Sequence, residues 1–445
     1  MNLDLLFAII FYGLLIIFFY RHKKNVQMQG KIIALYRTQL GLNLMDKIAK
    51  KDRCPKIIAL GVISLVIGLI LLVAGFLTSN IYIKGIGSVI ILLSIITIIP
   101  LSWTGITGTI AGFGGMAFIF YFLIKGTLDL LLVPEAAPAV APVLPGIKVI
   151  PGLPVLSFWH WIIAIFIVAV VHEFSHGIIA RLYETKVKSS GIALFGPILG
   201  AFVEPDEKQL AKKSKKVQLS VFSAGPFSNM LLGVLFLLIF NLIASPLYNE
   251  VYTPDGIKVN EVLKDYPAFK LGIETPFIIR GINNYETLNL TSFLLQTKDI
   301  KPGDTMTINT DKGDFEVTTV ENPENKTRAF IGVSGLEINK KVREEITIKY
   351  GNLLPQIFTW VHMLIFWLVV VNFGVGLFNL LPLGPVDGGR MFLSGMLAIF
   401  SEKKAKNIWT IATFACLALI FINLAPYLWK LLLWIIKPLI IIFGV

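Results

Sequence analysis

Charged residues and cysteines are scarce in this chain of 445 residues. Only 15% of the residues are Asp, Glu, Lys or Arg, whereas soluble domains contain about 25%. Because 55% of the residues are hydrophobic, both a soluble globular enzyme and a disordered tail are excluded. Two cysteines cannot build a disulfide framework, and the surroundings of Cys54 and Cys416 indicate single thiols. The composition therefore predicts a membrane protein.

Long apolar runs predict helices that cross a bilayer. Leu3–Tyr20 and Ile57–Leu77 have the roughly 20-residue length that spans a hydrocarbon core. The expected fold is an α-helical polytopic membrane protein of about eight or nine spans. The remaining predicted spans are about Gly85–Trp103, about Thr107–Ile124, Phe158–Tyr183, Val217–Leu242, Leu354–Leu381, Ile408–Leu424 and, after Pro426, Tyr427–Phe443.

The net charge of +12 comes from basic segments that lie beside spans. No groove with stacking aromatic residues accompanies them, so nucleic acid is not an expected partner. The positive-inside rule places the basic segments in the cytoplasm and the N-terminus outside. Residues 21–56 form one such segment, and the near-helical spacing of its apolar residues predicts an amphipathic helix on the membrane surface. The other basic segments are Arg181–Lys188, Lys208–Lys216 and Lys403–Lys406.

Composition changes abruptly between about Tyr248 and Tyr350. Short alternating runs such as Thr305–Thr310, bounded by glycine-containing turns, predict a soluble β-rich domain of about 100 residues. Counting crossings places this domain outside the cell. The predicted organisation is an N-terminal membrane region (1–152), a membrane core in two parts (153–247 and 351–445), and the inserted domain (248–350).

His172-Glu173-Phe174-Ser175-His176 lies within the predicted span Phe158–Tyr183. Residues four apart share one face of a helix, so both imidazoles can reach one metal ion while Glu173 lies beside it. Each ionisable group at membrane depth costs about 2.5–3.5 kcal/mol on insertion scales. Three such groups within five residues therefore predict a functional metal site.

A catalytic zinc ion needs a third protein ligand, with the fourth position left for water. His160 lies twelve residues before His172, about 18 Å along the same helix, and His22 belongs to the basic cytoplasmic segment. His362 lies high in its span, where a histidine packed in the bundle is the simpler interpretation. Among carboxylates, Asp387 is best placed, because two prolines break its span and two glycines permit a tight backbone there.

Three motifs together resemble the site-2 protease family of intramembrane zinc metalloproteases, over about Leu153–Leu424. They are His172-Glu-Phe-Ser-His176, Gly225-Pro226-Phe-Ser-Asn229 and Asn379-x-x-Pro-x-x-x-x-Asp387-Gly-Gly, and they occur in the family's order and spacing. The N-terminal region with Tyr36-Arg37-Thr38 also looks like archaeal and eukaryotic branches of the family.

This resemblance implies one Zn²⁺ per chain, bound by His172, His176 and Asp387, with Glu173 as the general base. The Asn229 and Asn379 amides would hold the substrate backbone or the oxyanion, although hydrogen bonding between helices is an alternative role. The implied substrates are single-span membrane proteins, cleaved within their transmembrane segments in regulated intramembrane proteolysis. The implied location is the cell membrane, with the zinc site toward the cytoplasmic side.

Two further segments fit this interpretation. The glycine-punctuated stretch Ser190–Val203 is expected to form re-entrant β structure whose edge pairs with substrate, with a plain linker as the alternative. The inserted domain resembles a PDZ domain through Leu271-Gly272-Ile273 and the pattern that follows it, which implies peptide binding. Two other functions remain open: a metal or ion transporter that uses the same three ligands, and a non-catalytic PDZ membrane scaffold.

Overall fold

The computed structural model describes residues 3–30, 33–50, 55–133, 136–146, 153–323 and 325–443. Cys54, predicted as a single thiol, lies outside these residues, whereas Cys416 is buried. The chain forms two compact units, the first made of Met1–Ala244 with His362–Val445 and the second of Ser245–Val361. The expected limits of the inserted domain, 248–350, fall within the second unit.

Eight described stretches are long and apolar enough to cross a membrane. Seven fall in α1, α3, α4, α5, α6, α13 and α15 of the helices given next, and the eighth, Lys215–Val251, runs from α8 to the end of α9. The helices are α1 Leu3–Arg21, α2 Leu42–Ala49, α3 Pro55–Leu77, α4 Ile81–Ile98, α5 Leu101–Leu132, α6 Phe158–Leu182, α7 Glu207–Lys212, α8 Lys215–Ile239, α9 Ser245–Val251, α10 Pro267–Lys270, α11 Leu290–Thr297, α12 Glu344–Tyr350, α13 Leu353–Phe378, α14 Asp387–Ile399 and α15 Glu402–Phe443. The predicted polytopic helical architecture is confirmed.

Twelve strands are described. They are β1 Val26–Gln29, β2 Ile33–Thr38, β3 Val187–Phe195, β4 Ile198–Pro205, β5 Tyr252–Val262, β6 Phe277–Ile282, β7 Tyr285–Glu286, β8 Thr305–Thr310, β9 Gly313–Thr318, β10 Val320–Glu321, β11 Ala329–Phe330 and β12 Val333–Val342.

The first unit contains an antiparallel sheet with the strand order β1-β2-β3-β4. Its β3–β4 hairpin covers the glycine-punctuated stretch that was expected to form β structure, and the hairpin turns at Gly196, whose φ of +54° suits glycine. The hydroxyl of Tyr12 on α1 donates a 2.7 Å hydrogen bond to the Pro197 carbonyl at this turn. The first membrane helix therefore holds the tip of the hairpin.

The surface helix predicted within residues 21–56 is wrong in part. Residues Val26–Gln29 and Ile33–Thr38 are strands, and β2 pairs with β3 from Ile33 opposite Phe195 to Thr38 opposite Ser190. Apolar spacing alone did not distinguish the two structures, because cross-strand pairing with a distant segment decides this conformation. Between the end of α1 and the start of α3, the one α-helix among the described residues is α2, Leu42–Ala49.

Helix α2 packs against α6, the helix that carries the histidine motif. A Cβ atom at Gly41 would lie 2.6 Å from the ring of Phe174, and one at Gly177 would lie 2.6 Å from the sulfur of Met45. Asp46 and Arg181 form an ion pair of 3.3 Å between the same two helices. The N-terminal segment is thus in close contact with the turn of α6 that bears Glu173.

The prediction of two C-terminal spans, Ile408–Leu424 and Tyr427–Phe443, is also wrong, because α15 is one helix of 42 residues. Pro426 lies inside it; proline removes a single backbone hydrogen bond, and membrane helices tolerate this loss. Just before the proline, the buried Asn423 donates to Thr127 Oγ1 at 2.6 Å. This contact fixes α15 against α5.

The second unit is built on a sheet with the strand order β12-β5-β6-β8-β9, with β7 paired to β6. Its core consists of alternate apolar residues of these strands, among them Val259, Phe277, Ile279 and Ile308, all at most 1% exposed. Strand β12 lies at one edge of the sheet. The predicted β-rich inserted domain is confirmed.

Candidate metal centre

Helix α6 places three polar side chains of the motif close together inside the first unit. Its apolar sequence forms a 25-residue helix that begins after Ser157, whose side chain accepts the N–H of His160. His172 and His176, one turn apart on the same face, are only 7% and 8% exposed. Two imidazoles therefore stand side by side in the helix bundle.

Asp387 reaches this pair from the other end of the chain. After α13 the backbone turns back sharply, and the Gly388 N–H donates to the Asn379 carbonyl at 2.7 Å. A Cβ atom at Gly388 would overlap the carbonyl group of Leu380, so only glycine permits this turn. Asp387 is the first residue of α14, where the partial positive charge of a helix N-terminus stabilises a carboxylate.

The three side chains form one compact group. Asp387 Oδ2 lies 2.9 Å from His172 Nε2 and 3.1 Å from His176 Nε2. One ligand atom from each of the three residues lies within 4.8 Å of the other two. Two imidazole nitrogens and one carboxylate oxygen are the donor types of a catalytic zinc site.

Hydrogen bonds behind the imidazoles fix their orientation. His176 Nδ1 donates to the Val221 carbonyl of α8 at 2.7 Å, which directs Nε2 toward Asp387. His172 Nδ1 lies 3.0 Å from Asn229 Nδ2, also on α8. Such partners behind the ligands set the tautomer and the ring plane of metal-binding histidines.

Gly225 is a site residue for which the sequence predicted no role. A Cβ atom at this position would lie 2.6 Å from His172 Nε2, so a larger residue on α8 would fill the space beside the ligand atoms. The sequence contains Gly225-Pro226 inside an apolar span, which could have indicated a close approach of the backbone to the site. These residues entered the sequence analysis only as part of the family-like motif. Glycine here leaves space beside the Nε2 atoms of both histidines.

Glu173 faces the re-entrant hairpin. Its Oε2 atom accepts the Val203 N–H of strand β4 at 3.0 Å. A cavity of about 580 Å³ is lined by Glu173, both histidines, Asp387 and Asn379. The candidate base, the candidate ligands and an edge strand therefore share one cavity.

The remaining predicted site residues lie in different surroundings. Asn379 borders the cavity, whereas Asn229 is fully buried and contacts His172 instead. His160 Nδ1 pairs with Ser157 Oγ at 2.5 Å, and the ring of His362 packs 4.9 Å from that of Phe240. Within the described residues, neither of these two histidines joins the group of candidate ligands.

Fold and site together define the class of this protein, a multi-pass membrane metalloprotease. The chain belongs to peptidase family M50, whose sequence model matches residues 160–423. This match confirms the resemblance to the site-2 protease family.

Two relatives and one solved domain are similar to this chain or to a part of it. An uncharacterised protein of Methanocaldococcus jannaschii is 30% identical over 92% of this chain and 90% of its own length. A protein of Clostridium acetobutylicum, named as a candidate zinc metalloprotease, is 24% identical over 54% of this chain and 87% of its own. A solved PDZ domain of an SdrC-like protein from Listeria monocytogenes is 23% identical, covering 18% of this chain and 88% of that one, with a TM-score of 0.17.

Proposed function

We propose that this protein is a zinc-dependent endopeptidase that hydrolyses peptide bonds inside the transmembrane segments of single-span membrane proteins, as in regulated intramembrane proteolysis. The observation that carries this proposal is the largely buried group of His172, His176 and Asp387, with Glu173 beside it in the same cavity. A transporter would use three such ligands but would leave Glu173 without a role. A scaffold would need none of the four residues.

The residues present fit a catalytic zinc ion. His172, His176 and Asp387 would hold it, leaving one tetrahedral position for water, and Gly225 provides space beside the two Nε2 atoms. When bound, zinc acts as a Lewis acid and lowers the pKa of its water toward about 7. One ion per chain follows from one such group in the described residues.

Glu173 is suited to moving the proton in this reaction. Its carboxylate borders the cavity next to the ligand group, where it can take a proton from the attacking water and deliver it to the leaving amine. The Val203 N–H that it accepts holds the carboxylate in place without protonating it. The chain itself therefore supplies both the base and the group that orients it.

A peptide bond in a membrane helix must be unwound before it can be cleaved, because its carbonyl is hydrogen-bonded and shielded from water. Strand β4 lies at an edge of the first sheet, and it includes Val203 beside Glu173. An unwound substrate segment can add to this edge as a further strand. Asn379, at the border of the cavity, is placed to hydrogen-bond the backbone of that segment.

The purified chain in liposomes tests this function directly. We expect it to cut single-span substrates within their transmembrane segments, with cleavage sites mapped by mass spectrometry. Removal of zinc with a chelator should abolish cleavage, and stoichiometric Zn²⁺ should restore it. Cleavage confined to water-exposed loops, or unaffected by metal removal, would contradict the proposal.

The orientation in the membrane is a second prediction. The positive-inside rule places the N-terminus and the inserted domain outside, with the zinc site toward the cytoplasm, since His176 lies five residues, about 8 Å, before Arg181 along α6. Single cysteines at Asn284 and Lys404, in a variant that lacks Cys54 and Cys416, should be labelled from opposite sides of sealed cells. Labelling of both from outside would refute this orientation.

The β-rich unit is proposed to bind peptide segments of substrates. Strand β12 lies at the edge of its sheet, and its Leu336 and Ile338 side chains are 39% and 47% exposed. An extended peptide can extend such an edge by main-chain hydrogen bonds. Saturable binding of a fluorescent peptide to the full chain is the measurement that decides this point.

A further inference from the structure

The Asn229 side chain is fully buried in α8 and is not among the residues that line the cavity. Its Nδ2 atom lies 3.0 Å from His172 Nδ1. Its Oδ1 atom is also buried and has no hydrogen-bond partner among the described residues. On the other side of the same imidazole, Nε2 lies 2.9 Å from Asp387 Oδ2.

The Asn229 amide selects the tautomer of His172, since either end of a side-chain amide can fill the same buried space. With Nδ2 toward Nδ1 the ring proton lies on Nε2, and with Oδ1 toward Nδ1 the ring proton lies on Nδ1. An Nε2 atom that carries a proton cannot bind a metal ion. His176 differs, because its Nδ1 donates to the Val221 carbonyl and leaves the Nε2 lone pair available in the neutral ring.

We infer that Asn229 is a positioning residue whose amide oxygen, rather than its nitrogen, faces His172 Nδ1 when His172 is a metal ligand. With the amide turned this way, Oδ1 accepts the Nδ1–H of His172, so Nε2 presents its lone pair to the metal. This inference rests on the zinc-dependent function proposed above. It replaces the expected contact of Asn229 with substrate, for which a fully buried side chain is poorly placed.

The surroundings of the amide permit this rotation. The two ends of a side-chain amide have nearly the same size, so one buried space accommodates both orientations. Because Oδ1 has no partner in the present orientation, turning the amide breaks no hydrogen bond at that atom.

Zinc affinity of the full-length protein in detergent, measured by competition with a chelator, tests the role of the oxygen. Asn229→Asp keeps an acceptor opposite Nδ1 and removes the donor, so we expect an affinity within about threefold of the natural protein. Asn229→Leu removes both and should weaken binding by about 10–100-fold. If the Nδ2 donor were the functional group, Asn229→Asp would lose affinity as Asn229→Leu does.

Asn372→Leu is the matched control. The Asn372 side chain is also fully buried, at 0% exposure, and it donates to the Leu368 carbonyl of its own helix. Its loss should therefore leave zinc affinity unchanged. The absorption spectrum of Co²⁺ bound to the Asn229→Asp variant should keep the intensity of a tetrahedral site. This spectroscopic measurement does not depend on whether the Asn229→Leu variant folds.

The outcomes separate the two proposals. Zinc binding by the natural protein together with equal affinities in both Asn229 variants would overturn the positioning role alone. A marked loss in Asn229→Asp, with an unchanged thermal transition in the presence of chelator, would also overturn it. Failure of the natural protein to bind zinc would instead refute the proposed function on which the inference rests.

Discussion

Replacing Glu173 with Gln should reduce peptide-bond cleavage by at least about a hundredfold while zinc remains bound at about one equivalent. Gln has nearly the same volume and keeps an oxygen that can accept the Val203 N–H, but it cannot take a proton at neutral pH. The geometry of the ligand group should therefore persist without the base. Cleavage of a single-span substrate and zinc content, measured on the same preparation, provide the comparison.

Ser175→Ala is a suitable control for the Glu173 variant. Ser175 lies two residues further along α6, and its hydroxyl donates to the Val171 carbonyl of the same helix. Its loss should change neither zinc content nor cleavage by more than about twofold, since that bond stays within the helix. Full activity of Glu173→Gln would remove Glu173 from the mechanism.

Asp387→Ala should strip zinc from the protein and abolish cleavage with it. The carboxylate contacts both imidazole nitrogens, and a three-ligand site that loses its only anionic ligand retains little affinity. The loss should exceed the roughly 10–100-fold typical of partners behind the ligands. Zinc content after dialysis against a weak chelator measures the effect.

Two histidines serve as controls for the ligand set. His160 pairs with Ser157, and the ring of His362 packs against that of Phe240, so alanine at either position should leave zinc content unchanged. Loss of zinc in His362→Ala together with its retention in Asp387→Ala would show that the ligand set is wrong.

The sequence predicted a polytopic helical fold with an inserted β-rich domain, and it also predicted which residues of the candidate site lie close together. His172, Glu173 and His176 are four residues or fewer apart, so helical periodicity alone brings them together. Asp387 is distant in sequence and was found from the prolines and glycines that surround it. Tight turns require such residues, so a turn of this kind can be recognised from the sequence alone.

Features that depend on pairing between distant segments were missed. Residues Ile33–Thr38 have a spacing compatible with a helix, but their conformation is decided by hydrogen bonds to β3, about 150 residues away. The partner of Asn229 was missed for the same reason, since no local pattern places an amide of α8 behind an imidazole of α6. Pro426 led to a different error, because it was taken as the boundary between two spans and α15 continues through it. A proline ends helices in water more reliably than in a bilayer.

The packing of α2 on α6 bears on how modular this enzyme is. The family match begins at residue 160, yet the turn that bears Glu173 rests on Gly41 and Met45, far upstream of that border. A fragment trimmed to the matched region would carry the histidine, Gly225–Asn229 and Asn379–Asp387 motifs and still lose the surface against which Phe174 packs. Grafting this core onto the N-terminal region of a relative would likewise require a glycine opposite Phe174. The smallest transplantable unit is therefore larger than the region by which the family is recognised.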